Sequence, residues 1–142
     1  MRSPNKPENP DDFNQFGKDY LPGLLGMRIC STESDRLMSE LKIRPELFAP
    51  NGYLHAASII ALADTTCGYG ALLNLPDGAS SFTTIELKSN FTGTAREGLI
   101  ECIAKPLHLG RTTQLWDAEV KIRSTGKSIA QFRCTQMILW PR

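Results

Sequence analysis

NGYLHAASIIALADTTCGYGALLNL, residues Asn51 to Leu75, decides how the rest of the chain reads. Almost every position after Leu54 is small or apolar, and a single carboxylate, Asp64, stands near the middle. A surface helix carries Lys and Glu along one stripe, whereas a helix apolar all round is a buried one. No such stripe occurs here, so the segment predicts a buried central helix. Burying an ionised carboxylate without a partner costs several kcal/mol, and chains rarely do it unless the group is paired or does chemistry. Asp64 is therefore the first candidate for a functional residue. The alternative is that it sits on a wet face or bonds to Thr65 or Thr66.

His55 opens the same helix, directly after the turn signal Pro50-Asn51-Gly52. A helix start presents unpaired N–H groups and the positive end of the helix dipole, so the amides near Ala56 and Ala57 suit a developing oxyanion. The two alanines keep that approach open. The other reading of His55 is a cap or turn residue. His55 and Asp64 are nine positions apart, which at about 100° and 1.5 Å per residue sets them on opposite faces and roughly 13 Å apart. If both serve one site, the second helix comes from another copy of the chain, in a symmetric oligomer with composite sites.

With 142 residues the chain is the length of one domain and can bury a proper core. Lys+Arg 16 against Asp+Glu 15 leaves a net charge of +1, with no basic run, so no nucleic-acid surface is indicated. Cys30, Cys67, Cys102 and Cys134 are scattered without a C-x-x-C, and two histidines are too few for a zinc site, so the cysteines read as reduced core thiols and no metal is expected. The N-terminus has no apolar signal region and no stretch reads as a membrane span with suitable flanks, which makes the cytoplasm the expected compartment.

Met1 to Pro10 reads as loosely draped, and residues 1–23 as an N-terminal extension preceding a domain over 24–142. A short helix within Asp11 to Leu25 would pack Phe13, Phe16 and Tyr20 on one face and end at Pro22-Gly23. Met27 to Ile43 alternates as a hairpin turning at Glu33-Ser34-Asp35. After the central helix, in which Gly68 and Gly70 suggest close packing of something large, come further strands with period two. In the first, Ile85, Leu87, Ser89 and Phe91 face one way and Thr84, Glu86, Lys88 and Asn90 the other. Leu99 to Lys105 forms a shorter strand, followed by a turn or bulge around His108–Arg111. Trp116, Ala118, Val120 and Ile122 make the next inward face. Ser124 to Lys127 turns the chain, and Ala130, Phe132, Cys134 and Ile138 complete the last strand. The whole is α+β: about six antiparallel strands wrapped around one long helix inserted between the second and third.

These residues resemble the hotdog-fold acyl-CoA thioesterases of the phenylacetate-degradation (PaaI-like) and 4-hydroxybenzoyl-CoA type, over about Leu24 to Leu139. The family's helix start reads roughly G-x-x-H-G-G with an acidic residue nine after the His. Here Gly52-Tyr53-Leu54-His55-Ala56-Ala57 is followed by Asp64. Thr83 to Phe91 and Pro106 to Arg111 resemble the family's third strand and the following hairpin. The resemblance implies a hotdog-fold hydrolase of a small, medium or aromatic acyl-CoA. The N–H of Ala56 would polarise the thioester carbonyl and Asp64 of a partner subunit would attack it or activate water. Thr84 would hold that water, and His55 would position the thioester or the turn. The substrate-binding set is Asn51, Ala57, Gly68, Lys88, Arg96 and Arg111, the three basic residues being candidates for coenzyme A phosphates. No cofactor is implied, because coenzyme A is part of the substrate. A homodimer with joined sheets, doubled to a homotetramer, is expected.

This chain departs from the pattern in two places. The family's glycines are Ala56 and Ala57 here, which tightens the space at the helix start. The Gln or Asn often found six before the His is Ala49, and Asn51 supplies an amide there only if the loop path differs. Residue types leave nucleophilic and general-base roles of Asp64 equally open. Two rival functions share the fold. One is a hydratase or dehydratase of acyl thioesters, whose Pro-rich segment around the His is missing. The other is a non-catalytic acyl-CoA-binding module, against which Asp64 and Thr84 stand.

Overall fold

The computed structural model describes residues 6–142. In chain order its elements are α1 (Pro10–Gly17), α2 (Leu21–Leu25), β1 (Arg28–Glu33), β2 (Arg36–Lys42), α3 (Ala56–Leu73), β3 (Ser81–Phe91), β4 (Leu99–Leu109), β5 (Thr113–Ile122) and β6 (Ser128–Leu139). One short 3-10 turn, Pro45–Leu47, precedes α3. The six strands form one sheet in the order β1-β2-β4-β5-β6-β3, antiparallel at every pairing. Helix α3 lies across it, touching β2 to β6. The α+β arrangement and the place of the long helix agree with the reading from sequence.

Small residues bring α3 close to the sheet. Leu62, Ala63 and Cys67 are fully buried in one cluster with Leu37, Leu41, Ile100, Cys102, Trp116, Val120 and Cys134, and Ala71 is buried too. At Gly70 a Cβ would run into the ring of Trp116, so this glycine is where the helix admits the largest side chain of the core. The ring is held from below, since its indole N–H donates to Gln114 Oε1 at 2.8 Å and Gln114 Nε2 donates to the Asn74 carbonyl at the end of α3. The large group implied by the helical glycines is therefore Trp116 at Gly70 and Phe82 at Gly68, where the ring would lie 3.2 Å from an added Cβ.

Several expectations are corrected. The helix is not buried on all sides: Ile60, Ala61, Asp64 and Thr65 are only half-buried, and Ala56 and Ala57 are exposed. By length and composition alone Ala56–Leu73 is apolar enough to cross a membrane, and in this fold it packs on the sheet as the core helix. Pro22-Gly23 does not end a helix but lies inside α2, with the proline in the first turn where its missing N–H is harmless. Phe13 is buried and stacks on Tyr69 with centroids 4.7 Å apart, whereas Phe16 and Tyr20 are exposed. Strand β4 runs on to Leu109 through Pro106, with the bulge at Leu107. Cys30 is exposed at a bulge of β1, unlike the three core thiols. Of the supposedly loose Met1 to Pro10, the first five residues lie outside the described ones. Pro7 is buried, and Asn9 caps α1 by accepting from the Asp12 N–H.

The two sheet edges differ. On β1 the Asn14 side chain accepts from the Ile29 N–H at 2.8 Å and donates to the Ile29 carbonyl at 3.0 Å, tying up the edge backbone from α1. The bulge at Cys30 then bends the strand. Among the described residues strand β3 has no such cover, and Ile85, Leu87 and Phe91 on it are 53%, 41% and 43% exposed.

Gly70→Ala tests the helix–sheet contact. The gain in helix propensity, about 1 kcal/mol, should be outweighed by displacement of the locked Trp116 ring, which as overpacking costs about 1–3 kcal/mol. Urea denaturation should show a net loss of stability, and a more stable variant would mean the ring has room to move.

Candidate active site

The start of α3 is built by the chain folding back on itself. The His55 N–H donates to the Leu47 carbonyl, the Ser58 hydroxyl donates to the same carbonyl, and Phe48 bridges Leu54. Between them Ala49 to Tyr53 closes a turn in which the Ala49 N–H donates to the Tyr53 carbonyl at 2.7 Å. Gly52 has φ 85°, a left-handed conformation that costs glycine nothing. Asn51 Oδ1 accepts from the Tyr53 N–H at 3.2 Å, so its amide oxygen is spent on the turn. The Arg96 guanidinium lies over the Tyr53 ring at 5.9 Å, which puts this basic residue beside the helix start.

His55 is the N-cap. Its Nδ1 accepts from the Ala57 N–H at 2.9 Å, which assigns the neutral ring its proton on Nε2. The cap reading of His55 is thus realised, and it removes Ala57 as a free amide donor. The Ala56 N–H is left without an acceptor among the described residues, at the exposed positive end of an 18-residue helix.

Asp64 stands in the third turn of α3. Its Oδ1 is shut off from solvent and has no hydrogen-bond partner among the described residues; neither Thr65 nor Thr66 satisfies it. Thr66 donates to the Leu62 carbonyl at 2.7 Å, so its hydroxyl accepts from Ser39 at 2.6 Å. Burial alone raises the Asp64 pKa above its usual 3.8. No opposite charge among the described residues offsets that burial, and an unpaired, desolvated carboxylate is the state expected of an acid–base or nucleophilic group before substrate arrives.

Strand β3 faces the helix differently from the alternation expected. A bulge at Ile85 shifts the register against β6: Thr84 pairs with Gln136, yet Leu87 pairs with Cys134 and Ser89 with Phe132. Gln136, Cys134 and Phe132 all point into the core, so Thr84 shares the helix-facing side with Leu87, Ser89 and Phe91. Lys88 and Asn90 turn to the outer side, where they line a surface hollow with Asp117, Gln131 and Arg133. Without the bulge Thr84 would face outward with Lys88. Its hydroxyl donates to Gln136 Oε1 at 2.7 Å.

The substrate-binding set thus does not converge in one chain. Arg96 and Asn51 stand at the helix start, Gly68 lies under Phe82, and Lys88 is on the outer face of the sheet. Arg111 stacks over the Trp140 ring at 4.3 Å beside the β4–β5 turn. Two open surface grooves, of about 540 and 490 Å³, run along Lys6, Pro7 and Phe16 and on to Leu72 and Pro76; neither is lined by Asp64, His55 or Thr84. Gln136 was not singled out from the sequence. The signal was there, because the inward alternation of Phe132, Cys134 and Ile138 places an amide at a core position.

The family model of the thioesterase superfamily matches residues 51–129, which include the helix start, Asp64 and Thr84. A 1,4-dihydroxy-2-naphthoyl-CoA hydrolase of Listeria monocytogenes is 30% identical over 112 residues, covering 78% of this chain and 89% of that protein. The enzyme of the same name from Escherichia coli is 28% identical over 127 residues, 89% and 92% of the two chains. The crystal structure of a thioesterase from Haemophilus influenzae superposes with a TM-score of 0.87 at 23% identity, covering 94% of this chain and 92% of that one, which shows the shared fold. The chain belongs to the thioesterase superfamily and is a thioester hydrolase with the hotdog fold.

Proposed function

We propose that the protein hydrolyses a small, medium or aromatic acyl-CoA thioester to the free acid and coenzyme A, at sites shared between two copies of the chain. The observation that carries this is the pair of unspent groups on α3: the Ala56 N–H at its start and the unpartnered Asp64 carboxylate in its third turn. They lie roughly 12 Å apart along one continuous helix. A thioester carbonyl and the group attacking it sit about 3 Å apart, so a single chain cannot serve both ends. The open edge of β3 supports a second copy there, because a long edge strand with exposed Ile85, Leu87 and Phe91 is a template for pairing while the β1 edge is closed by Asn14. A homodimer joined along β3, and two such dimers as a tetramer, is the assembly proposed.

In this site the Ala56 amide holds the thioester oxygen and stabilises the charge it gains as the carbon becomes tetrahedral. Asp64 of the other copy either attacks the carbon or takes a proton from the attacking water, and the thiolate of coenzyme A leaves. Neither step calls on a cofactor. Arg96 and Arg111 are the basic residues offered to the phosphates, and the names of the relatives put an aromatic acyl group foremost among substrates to try.

Three outcomes are expected. Thiol release from a panel of aliphatic and aromatic acyl-CoAs should fall by about a hundredfold or more in Asp64→Ala relative to wild type. Equal rates with acyl-CoA still bound would place the protein among binding modules. Ala56→Pro removes the proposed oxyanion N–H at the first helical position, which tolerates proline, and His55 at φ −65° and ψ 134° is already in the extended region a residue before proline needs. That variant should be folded and inactive. Co-expressed with Asp64→Ala it should recover up to about a quarter of wild-type activity, since half of randomly mixed dimers carry one intact site of two; no recovery despite mixed dimers would place each site within one chain.

Asp64 also sets a pH dependence. Its pKa is raised on folding, so between 3.8 and its folded value the native state holds more protons than the unfolded one, and stability falls as pH rises through that window. Asp64→Asn should therefore melt at a higher temperature than wild type at pH 7, with the advantage shrinking towards pH 3.8. A lower melting temperature at pH 7 would mean the carboxylate is paired in solution.

A further inference from the structure

We infer that Gln136 is a positioning residue for hydrolysis: it holds the Thr84 hydroxyl so that only the lone pairs of its oxygen face the attacking water. The inference rests on the acyl-CoA hydrolase reading above and adds a residue to it. Gln136 is fully buried, as is one other glutamine, Gln114. An amide in a core costs more than an apolar side chain of similar size unless its hydrogen bonds are made. Gln114 has a structural account, since it clamps the Trp116 indole and the Asn74 carbonyl. Gln136 has none of that kind. Among the described residues its Nε2 reaches only Cys134 Sγ at 3.4 Å, a weak acceptor, and its one strong bond is the 2.7 Å bond from Thr84. The buried amide is committed to one hydroxyl on strand β3.

That hydroxyl lies on the seam where Asp64 is found. Gly68 is one turn past Asp64 on the same stripe of α3, and Phe82, whose ring rests on Gly68, is two residues before Thr84 on the same face of β3. The bulge at Ile85 keeps Thr84 on this side. A threonine hydroxyl has one proton to donate and two lone pairs to accept with. With the proton given to Gln136 Oε1, the oxygen presents acceptors alone. A water attacking a thioester has two protons to place so that its lone pair meets the carbonyl carbon. One is transferred to the Asp64 carboxylate as the O–C bond forms. The other is held by Thr84, and as the C–S bond breaks its electron pair goes to sulfur, which takes the proton back from Asp64. Without Gln136 the Thr84 hydroxyl is free to turn and donate to Asp64 or to the water, which spoils that orientation.

Kinetics of Gln136→Met, Gln136→Asn, Thr84→Val and Thr84→Ser, with the Gln136→Met/Thr84→Val double variant, test this on the preferred acyl-CoA. Thr84→Val should lower kcat by about ten- to a hundredfold with little change in KM, and both Gln136 variants should lower kcat by about tenfold, on the scale of misplacing a reacting group. Thr84→Ser should retain most of the activity. The double variant should be no slower than Thr84→Val, because Gln136 has nothing to act through once the hydroxyl is gone. Gln136→Met slowing the Thr84→Val enzyme by the same factor as wild type would assign Gln136 a packing role and overturn the inference. So would full kcat in Thr84→Val. Either result alongside an inactive Asp64→Ala leaves the hydrolase reading intact, whereas wild type with no turnover of any acyl-CoA removes that reading itself. If Gln136→Met does not fold, the shorter amide of Gln136→Asn carries the same comparison.

Discussion

The close approach of α3 to the sheet at Gly70 is the contact on which the rest of the structure depends. A helix of small and apolar residues can sink onto six strands only where its partner side chains find room, and Trp116, fully buried and held by Gln114, takes the space a side chain at 70 would need. Burying an aromatic of that size contributes on the order of 3 kcal/mol. Once α3 is seated there, its direction is set, and with it the positions of the two groups on which the proposed reaction rests: the capped start at His55 and Ala56, and the flank carrying Asp64. The seam beneath the helix is polar as well as apolar. Ser39 and Thr66 share a hydrogen bond beside Cys102, whose thiol burial pushes up to about 12, so these core sulfurs are inert.

The helix start and the flank do different electrostatic work. At the start, His55 spends its Nδ1 on the Ala57 N–H and so removes one donor from the set of four that a helix leaves unpaired. What remains without an acceptor among the described residues is the N–H of Ala56. On the flank, Asp64 is deprived of partners, which keeps its carboxylate basic at the expense of stability. A single chain keeps these two groups a helix segment apart. In the proposed reaction a second copy supplies the group that one chain cannot, and the asymmetry of the sheet edges, tied at Ile29 on β1 and exposed on β3, supports β3 as the edge it would join.

Much of this was legible in the residues. The run from Asn51 to Leu75 announced the central helix, the solitary Asp64 announced itself by lacking company, and the inward alternation of Trp116, Ala118 and Val120 or of Phe132 and Cys134 announced the strands. Strand β3 was misread because a bulge adds one residue to one strand without changing its composition: Ile85 looks like any apolar strand residue, yet it moves Thr84 to the helix side and leaves Lys88 on the other. Ala57 was misjudged for a related reason, since only the rotamer of His55 decides whether a helix-start amide is free.

By itself the sequence determined the length and apolar character of α3, the antiparallel strands around it, the isolation of Asp64 and the likeness to a thioesterase helix start, because each depends on residue type and local period. Only the tertiary structure decided which side of β3 faces the helix, which helix-start N–H is left unpaired, which glycine meets Trp116 and which buried glutamine serves a hydroxyl. Those depend on register and on contacts between residues as many as 52 positions apart, as Thr84 and Gln136 are, and no local pattern encodes them.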